Sequence, residues 1–274
     1  MPTLYVVGTP IGNLEDITRR ALRVLSEVRL IAAEDTRKAR VLLAHYEIAT
    51  PVTSYFAGNE QRKLATLLEA LTESDMALIS EAGMPGISDP GYLLIQAAIA
   101  RGIDVVPVPG PSAHTTALVA SGLPTDRFVF LGFLPRKATD RATVLAEVAP
   151  LRATLVCYES PRRVEATLHA LHAALGNRPV ALCREMTKLY EEVWRGDLVG
   201  ARLHIQAQAP RGEYTLVIGG APEDARRWEA DAVREALSDH LARGLSRSQA
   251  AREVAALAGW PRRQVYTLSL DIES

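Results

Sequence analysis

Along most of the chain, apolar runs of four to six residues alternate with longer amphipathic stretches. TLYVVG (3–8) alternates too little for a half-exposed strand and predicts a buried strand of the parallel kind. In EDITRRALRVLSEV (15–28), Ile17, Ala21, Val24, Leu25 and Val28 recur at helical spacing behind first-turn acids, which predicts a helix. RLIAAE (29–34) predicts a second strand and TRKARVLLAHY (36–46) a second helix. The order continues with helix QRKLATLLEALTE, strand MALIS, a glycine-proline loop, helix GYLLIQAAIARG, strand IDVVPV, loop PGPS and helix AHTTALVASG. Alternating strands and helices imply a parallel sheet wrapped by helices, with ligands bound at the loops on the strand C-termini.

The helical pattern breaks at GLPTDRF, which places a linker near residues 120–126. A second α/β set follows: strand FVFLGF, helix ATVLAEVA, strand TLVCYE, helix RRVEATLHALHAALG, then strands PVALCRE, EEVWRG and YTLVIGG. From about Pro222 only helices are predicted: DAVREALSDHLARG, SRSQAAREVAALAG and PRRQVYTLSL. Gly259 followed by Pro261 at the N1 position gives this appendage helix-turn-helix spacing. The reading is two α/β domains, 1–121 and 122–222, with a small helical domain at 223–274. At 274 residues the chain is long enough for both cores.

Composition, 48% hydrophobic and 23% charged, is that of a soluble globular protein. No apolar run has the length to span a bilayer, and the N-terminus lacks the basic region and cleavage site of a secretory signal. Cys157 and Cys183 fall inside strand-like runs, so a reduced cytoplasmic protein with buried thiols is expected. A net charge of −1 makes no overall case for nucleic acid. Locally, Arg243, Arg247, Arg252, Arg262 and Arg263 stand against one acid, Glu253, between positions 243 and 266. That tail suits an acidic partner; a solvated helical face accounts for it equally well.

Candidate chemistry lies in three strand-end loops, GTPIGN (8–13), SEAGMPGISDPG (80–91) and PGPSA (109–113). No Gly-Lys-Ser/Thr follows any of them, and GTPIGN is not a dinucleotide fingerprint, so a phosphate cradle is unsupported. What remains, beside the alternative that all three are turns, is backbone-rich loops on one sheet edge. They suit a small ligand with hydrogen-bonding and apolar parts. His169 and His172, at i,i+3 in one helix, lack a third ligand, and no metal is expected.

GTPIGNLEDIT, AAEDTR, EAGMPGISDPG, VPGPSA, SGLPTDRF, GFLPRK, YESPRR and REMTK, in this order, closely resemble the small-subunit ribosomal RNA methyltransferases of the tetrapyrrole methylase superfamily. The resemblance covers about residues 3–220, and the helical tail matches a small C-terminal domain of the same family. It implies two α/β domains of the tetrapyrrole methylase type. It also implies a homodimer, and S-adenosylmethionine bound in folded shape between the domains. The implied reaction is 2′-O-methylation of a cytidine at the decoding centre, in small-subunit ribosomal RNA or the assembled subunit. Other members act on a tetrapyrrole or a protein residue, and a non-catalytic RNA-binding assembly factor is the third alternative.

By the same resemblance, S-adenosylmethionine is held by Pro10 and Ile11, by Ala82, Gly83, Met84 and Ile87, and by Ser112 and Ala113. The second domain adds Tyr158, Glu159, Met186 and Tyr214. The chain departs from the family at Glu81 and Met84, where aspartate and threonine are usual. Phe56 stands where a histidine is usual, which excludes a histidine base there.

A ribose hydroxyl is a poor nucleophile, so methyl transfer needs in-line placement and a proton acceptor. Arginine stays protonated. Lys188 of REMTK is a base if neighbouring arginines and burial lower its pKa, or otherwise a phosphate contact. Glu34 and Asp35, at a strand end beside Arg37, orient the ribose or take its proton; Asp35 also suits a helix N-cap. Glu159 and Glu185 have an ordinary explanation in pairing with Arg162, Arg163 or Arg184. RNA contacts are assigned to Arg37, Arg136, Lys137, Arg162, Arg163, Arg247, Arg262 and Arg263.

Overall fold

The computed structural model describes residues 2–207, 209–222 and 228–272. The first unit runs β1 (Thr3–Val7), α1 (Arg19–Glu27), β2 (Leu30–Ala33), α2 (Thr36–His45), β3 (Val52–Ser54), α3 (Glu60–Glu73), β4 (Met76–Ile79), α4 (Tyr92–Ala100), β5 (Asp104–Val108) and α5 (Ala113–Ser121). Its sheet has the order β3-β2-β4-β1-β5 and is parallel throughout, so every strand ends at the same edge. Both faces are covered, which is why MALI is wholly buried. Met76 and Leu78 pack with α3 and α4, while Ala77 and Ile79 pack with α1 and α2.

Two local readings change. The first helix begins at Arg19, where the Thr18 side chain accepts the amide of Ala21; Glu15 and Asp16 lie in a separate 3₁₀ turn. The hydroxyl cap wins because it satisfies an otherwise orphaned N–H, a gain of about 1 kcal/mol. The three-residue strand β3 lies at the sheet edge and is only half buried, so its sequence carries little strand signal.

The second unit runs β6 (Phe128–Phe133), α6 (Ala138–Val148), β7 (Thr154–Glu159), α7 (Val164–Leu175), β8 (Pro179–Arg184), β9 (Glu192–Asp197), α8 (Leu198–Ala207) and β10 (Tyr214–Ile218). Its order is β6-β7-β10-β8-β9; only β6 and β7 pair parallel, and the sheet is mixed rather than parallel. Tyr214 pairs with both Glu159 and Arg184, so the ends of β7 and β8 and the start of β10 share one edge. Helices α6, α7 and α8 cover one face. The other face is covered by α5, whose Ala117 and Leu118 pack on Val156, Ala181, Cys183 and Val217. Arg195 of β9 donates to the carbonyls of Ala120 and Ser121, capping α5. The helix that precedes the sequence break therefore buries its face on the second sheet and ties the two units together.

Helices α9 (Ala230–Ala242), α10 (Arg247–Ala258) and α11 (Arg262–Leu270) form a third unit with its own core of Val233, Leu237, Ala250, Ala251, Val254, Ala258 and Val265. A capping box joins Ser246 and Gln249, and Gly259 ends α10 at φ +67°. Pro261 is the N-cap of α11 rather than its first helical residue. Cys157 and Cys183 are buried free thiols. Among the described residues, no helix is long and apolar enough to cross a membrane.

Candidate active site

The three glycine loops of the first sheet meet backbone to backbone. Thr9 and Gly83 exchange two hydrogen bonds, each 3.0 Å, and the Gly8 amide donates to Val108 O at 3.0 Å. A Cβ on Gly8 would stand 2.8 Å from Gly110 Cα and 2.7 Å from Met84 Sδ, so only hydrogen fits between these loops. Gly83 adopts φ +80°, a left-handed turn that other residues occupy at a cost.

Opposite them, the edge of the second sheet presents charged side chains already engaged. Glu159, 1% exposed, accepts the Ser160 amide at 2.8 Å, the Thr167 hydroxyl at 2.6 Å and Arg163 Nε at 3.3 Å. Glu185 and Thr187 take φ of +49° and +66°, and this turn swings Lys188 back over the edge. Thr187 Oγ1 accepts the Asn13 amide at 3.1 Å, linking the turn to the first glycine loop.

Between the two edges lies a cleft of about 600 Å³. Of the residues the sequence singled out, Ile11, Ala82, Gly83, Ile87, Ala113, Tyr158, Glu159, Met186 and Tyr214 line it, together with Glu34 and Lys188. Pro10, Met84 and Ser112 do not. Pro10 faces a neighbouring depression of about 170 Å³. Met84 lies over Gly8. The Ser112 hydroxyl meets His114 Nδ1 at 3.0 Å, in a cluster that includes the Tyr158 hydroxyl at 3.2 Å. His114 is stacked on Phe130, and burial lowers its pKa, keeping the ring neutral.

Lys188 does not have the environment expected for a base. Partial burial works to lower its pKa, but hydrogen bonds from Nζ to Glu185 (2.9 Å) and Glu213 (3.1 Å) outweigh this and the pKa rises. The neighbours that decide are carboxylates, not arginines. Arg184 pairs instead with Glu192 at 2.8 Å and acts on Glu185 only through its charge, as the smallest of the effects that lower its pKa. Burial pushes the Glu185 pKa up, yet the Glu213 amide and Lys188 bring it below the ordinary value.

Asp35 is the N-cap of α2, accepting the amides of Arg37 (2.8 Å) and Lys38 (3.4 Å), and it does not line the cleft. The Arg37 guanidinium beside it holds its pKa at about 2. Glu34 does reach the cleft. It accepts the Glu81 amide at 3.2 Å, and burial raises its pKa. The Glu81 carboxylate turns to Lys38 at 2.8 Å, which gives that departure from the family pattern a structural role. Phe56 does not line the cleft.

The RNA candidates divide. Arg37, Arg136, Lys137, Arg162, Arg262 and Arg263 are exposed. Arg163 points inward, to Glu159 and to Leu134 O at 2.6 Å, and is half buried. Arg247 is half buried and donates to carbonyls of Leu270 and Ile272, closing the C-terminal unit. Both guanidinium groups are thus already engaged with carbonyls and a carboxylate of the fold itself.

Cleft residues that the sequence reading missed include Ser88, Asp89, Phe133, Ser160, Pro161, Glu213 and Thr215. The SDPG turn was the available signal for Asp89. In all, the lining holds the carboxylates of Glu34, Glu81, Asp89, Glu159, Glu185 and Glu213 against the single ammonium of Lys188. Lys38 and Arg163, outside the lining, pair with Glu81 and Glu159. That leaves Glu34 and Asp89 outside any ion pair among the described residues and favours a ligand with cationic groups over phosphate. Among the described residues, no group of three or more His, Cys, Asp or Glu is arranged to hold a metal ion.

Comparison with known proteins agrees with this architecture. The family model described as Tetrapyrrole (Corrin/Porphyrin) Methylases matches residues 3–202. A Synechocystis sp. protein named Ribosomal RNA small subunit methyltransferase I is 46% identical, over 100% of this chain and 99% of that protein. One of the same name from Halalkalibacterium halodurans is 45% identical, over 97% and 94%. Solved structures share the fold: diphthine synthase at a TM-score of 0.65 and 14% identity, covering 97% of this chain and 99% of that one, and uroporphyrin-III-C-methyltransferase from Thermus thermophilus at 0.55 and 22%, covering 80% and 94%. With its two-sheet cleft and these relatives, the chain belongs to the tetrapyrrole methylase family, in the group of the proteins named ribosomal RNA small subunit methyltransferase I.

Proposed function

We infer that the protein methylates small-subunit ribosomal RNA with S-adenosylmethionine, and that the methyl goes to the ribose 2′-hydroxyl of a cytidine near the decoding centre. The observation that carries the reading is the acid-lined cleft between two sheet edges, in a chain whose near relatives bear the name of that activity.

The lining fits the methyl donor. S-adenosylmethionine supplies an electrophilic methyl on a sulfonium, beside an ammonium, a carboxylate and an adenine. Ile11, Ala82, Ile87, Ala113 and Met186 offer apolar walls. The carboxylate excess suits the two cationic groups, and the open backbone of the Gly83 turn lets main-chain groups approach. Pro10, Met84 and Ser112 would act behind that wall, by holding its loops.

An acid-lined cleft repels a phosphate backbone, so RNA phosphates are assigned to exposed cations outside it: Arg37, Arg136, Lys137, Arg162, Arg262 and Arg263. Lys188, held as an ammonium at the cleft edge by Glu185 and Glu213, is not a base; those carboxylates already match its charge, so it fixes the edge rather than a phosphate. The helical unit extends the RNA surface, and the working molecule is a cytoplasmic homodimer.

The test is transfer of labelled methyl to small subunits lacking the modification and to the naked RNA, followed by nucleoside analysis. An alkali-resistant 2′-O-methylcytidine is expected. Label on a tetrapyrrole or protein acceptor alone, or on no acceptor, overturns the reading.

A further inference from the structure

The methyl acceptor must lose a proton, and the structure removes most groups able to take it. Lys188 is an ammonium clasped by two carboxylates. Glu159 already accepts from Ser160, Thr167 and Arg163. Asp35 and His114 do not line the cleft. Glu34 is turned to the Glu81 amide, and Glu81 to Lys38.

Asp89 is different. It lines the cleft and, like Glu34, is in none of the ion pairs among the described residues; unlike Glu34, it accepts no backbone amide among the hydrogen bonds of those residues. Its backbone is fixed from both sides. The Gly86 amide donates to Pro90 O at 3.3 Å, and the Gly91 amide donates to Glu60 Oε1 at 3.0 Å. Ser88, at φ +63°, packs against Gly132 of β6, where a Cβ would come 3.1 Å from its hydroxyl oxygen. The left-handed φ of Ser88, a non-glycine residue, is local backbone strain beside the cleft carboxylate.

The charged and polar groups facing Asp89 come from each neighbouring element: Glu34 at the end of β2, Ser80 and Glu81 after β4, and Tyr158 at the end of β7. Burial first, then the charge of Glu34, raise the Asp89 pKa to about 6; the Ser80 hydroxyl works against this, and Glu81 adds to it. At neutral pH the carboxylate is thus ionised but more basic than an ordinary aspartate, the condition a general base needs.

We propose that the Asp89 carboxylate accepts the proton of the hydroxyl that is methylated. Transfer forms an O–C bond and breaks the S–CH₃ bond, leaving that electron pair on sulfur as a neutral thioether. The hydroxyl proton passes to Asp89, which returns it to solvent. The assignment rests on the ribose reading above.

The test compares the full-length protein with Asp89→Asn in single-turnover methyl transfer, with both substrates saturating, from pH 5 to 9. The unaltered protein should gain rate tenfold per pH unit below about 6 and then level off. Asp89→Asn should lose at least about 100-fold and lose the inflection, with S-adenosylmethionine affinity by calorimetry within about threefold. A variant within fivefold of the parent overturns the proposal, as does a slow variant that keeps the inflection. A parent profile flat between pH 5 and 7 overturns it even if the variant fails to fold. Nucleoside analysis of the parent's product is a separate readout: methyl off the ribose sinks the ribose reading itself.

Discussion

At the edge of the first sheet, three loops meet with almost no side chain between them; at the edge of the second, side chains are locked by charge. Gly8 and Gly110 approach so closely that a methyl group cannot enter, and the loops are fixed by backbone hydrogen bonds. Glu159 and the Glu185–Lys188–Glu213 group are fixed by carboxylate contacts. The difference follows from topology. A parallel sheet delivers several strand C-termini and their loops to one edge, which suits backbone recognition. The mixed sheet brings the start of β10 beside the ends of β7 and β8, so acids and bases distant in sequence are packed together.

Substitutions can break this contrast. The largest effect is expected at Glu159→Ala, which leaves Arg163 beside a buried void and three donors without their acceptor. A loss of about 3–5 kcal/mol is expected in denaturant unfolding. A loss below about 1 kcal/mol would show that the second edge does not depend on charge. Next is Gly8→Ala, which wedges two backbones apart at an expected cost of about 1–3 kcal/mol. S-adenosylmethionine affinity should fall more than tenfold, measured by calorimetry, because the loops part where Gly83 turns. An unchanged affinity would mean that the glycine contact serves folding alone.

The smallest effect has the opposite sign. The Asp89 pKa, raised to about 6 from an unfolded value near 4, penalises the folded state once the group ionises. Its contribution is intact below about pH 4 and is lost as pH rises through 6. Asp89→Asn should therefore stabilise the protein at pH 8 by about 1 kcal/mol, after discounting for partial exposure, and leave it unchanged at pH 4. Thermal melts at the two pH values check this. A destabilised variant at pH 8 would mean that the carboxylate is held by an unrecognised favourable contact.

Much of the fold was legible because periodicity is local. MALI, TLVCYE and YTLVI announce buried strands, and the glycine clusters that follow β1, β4 and β5 announce backbone-rich loops. The misses were short or masked. Helix α8, with Leu198, Ala201 and Ile205 inward, sits between two strands and holds a glycine at 200. Its start is fixed by Asp197, which accepts the Gly200 amide at 2.7 Å, a cap that reads in sequence as the end of a strand. The acids assigned to the first turn of α1 lost to Thr18 for the same reason: a capping side chain outranks a favourable charge.

The C-terminal unit shows what separates a fold from an interface. Its helices and their Gly259 stop were readable, but Arg247, counted as an RNA contact, closes the unit on Leu270 and Ile272.

By itself, the sequence determined most of the order of elements, the parallel first sheet and the three loops that wall the cleft. Those depend on residues within a few positions of each other, where periodicity, caps and glycines act. Only the tertiary structure decided which charges meet. Lys188 became a held ammonium because β10 delivers Glu213 beside Glu185. Asp89 became basic because the cleft buries it near Glu34, 55 positions away in the chain, counted from the sequence. Proton affinity is set by burial and by charges across space, and neither distance is written in the spacing of residues along the chain.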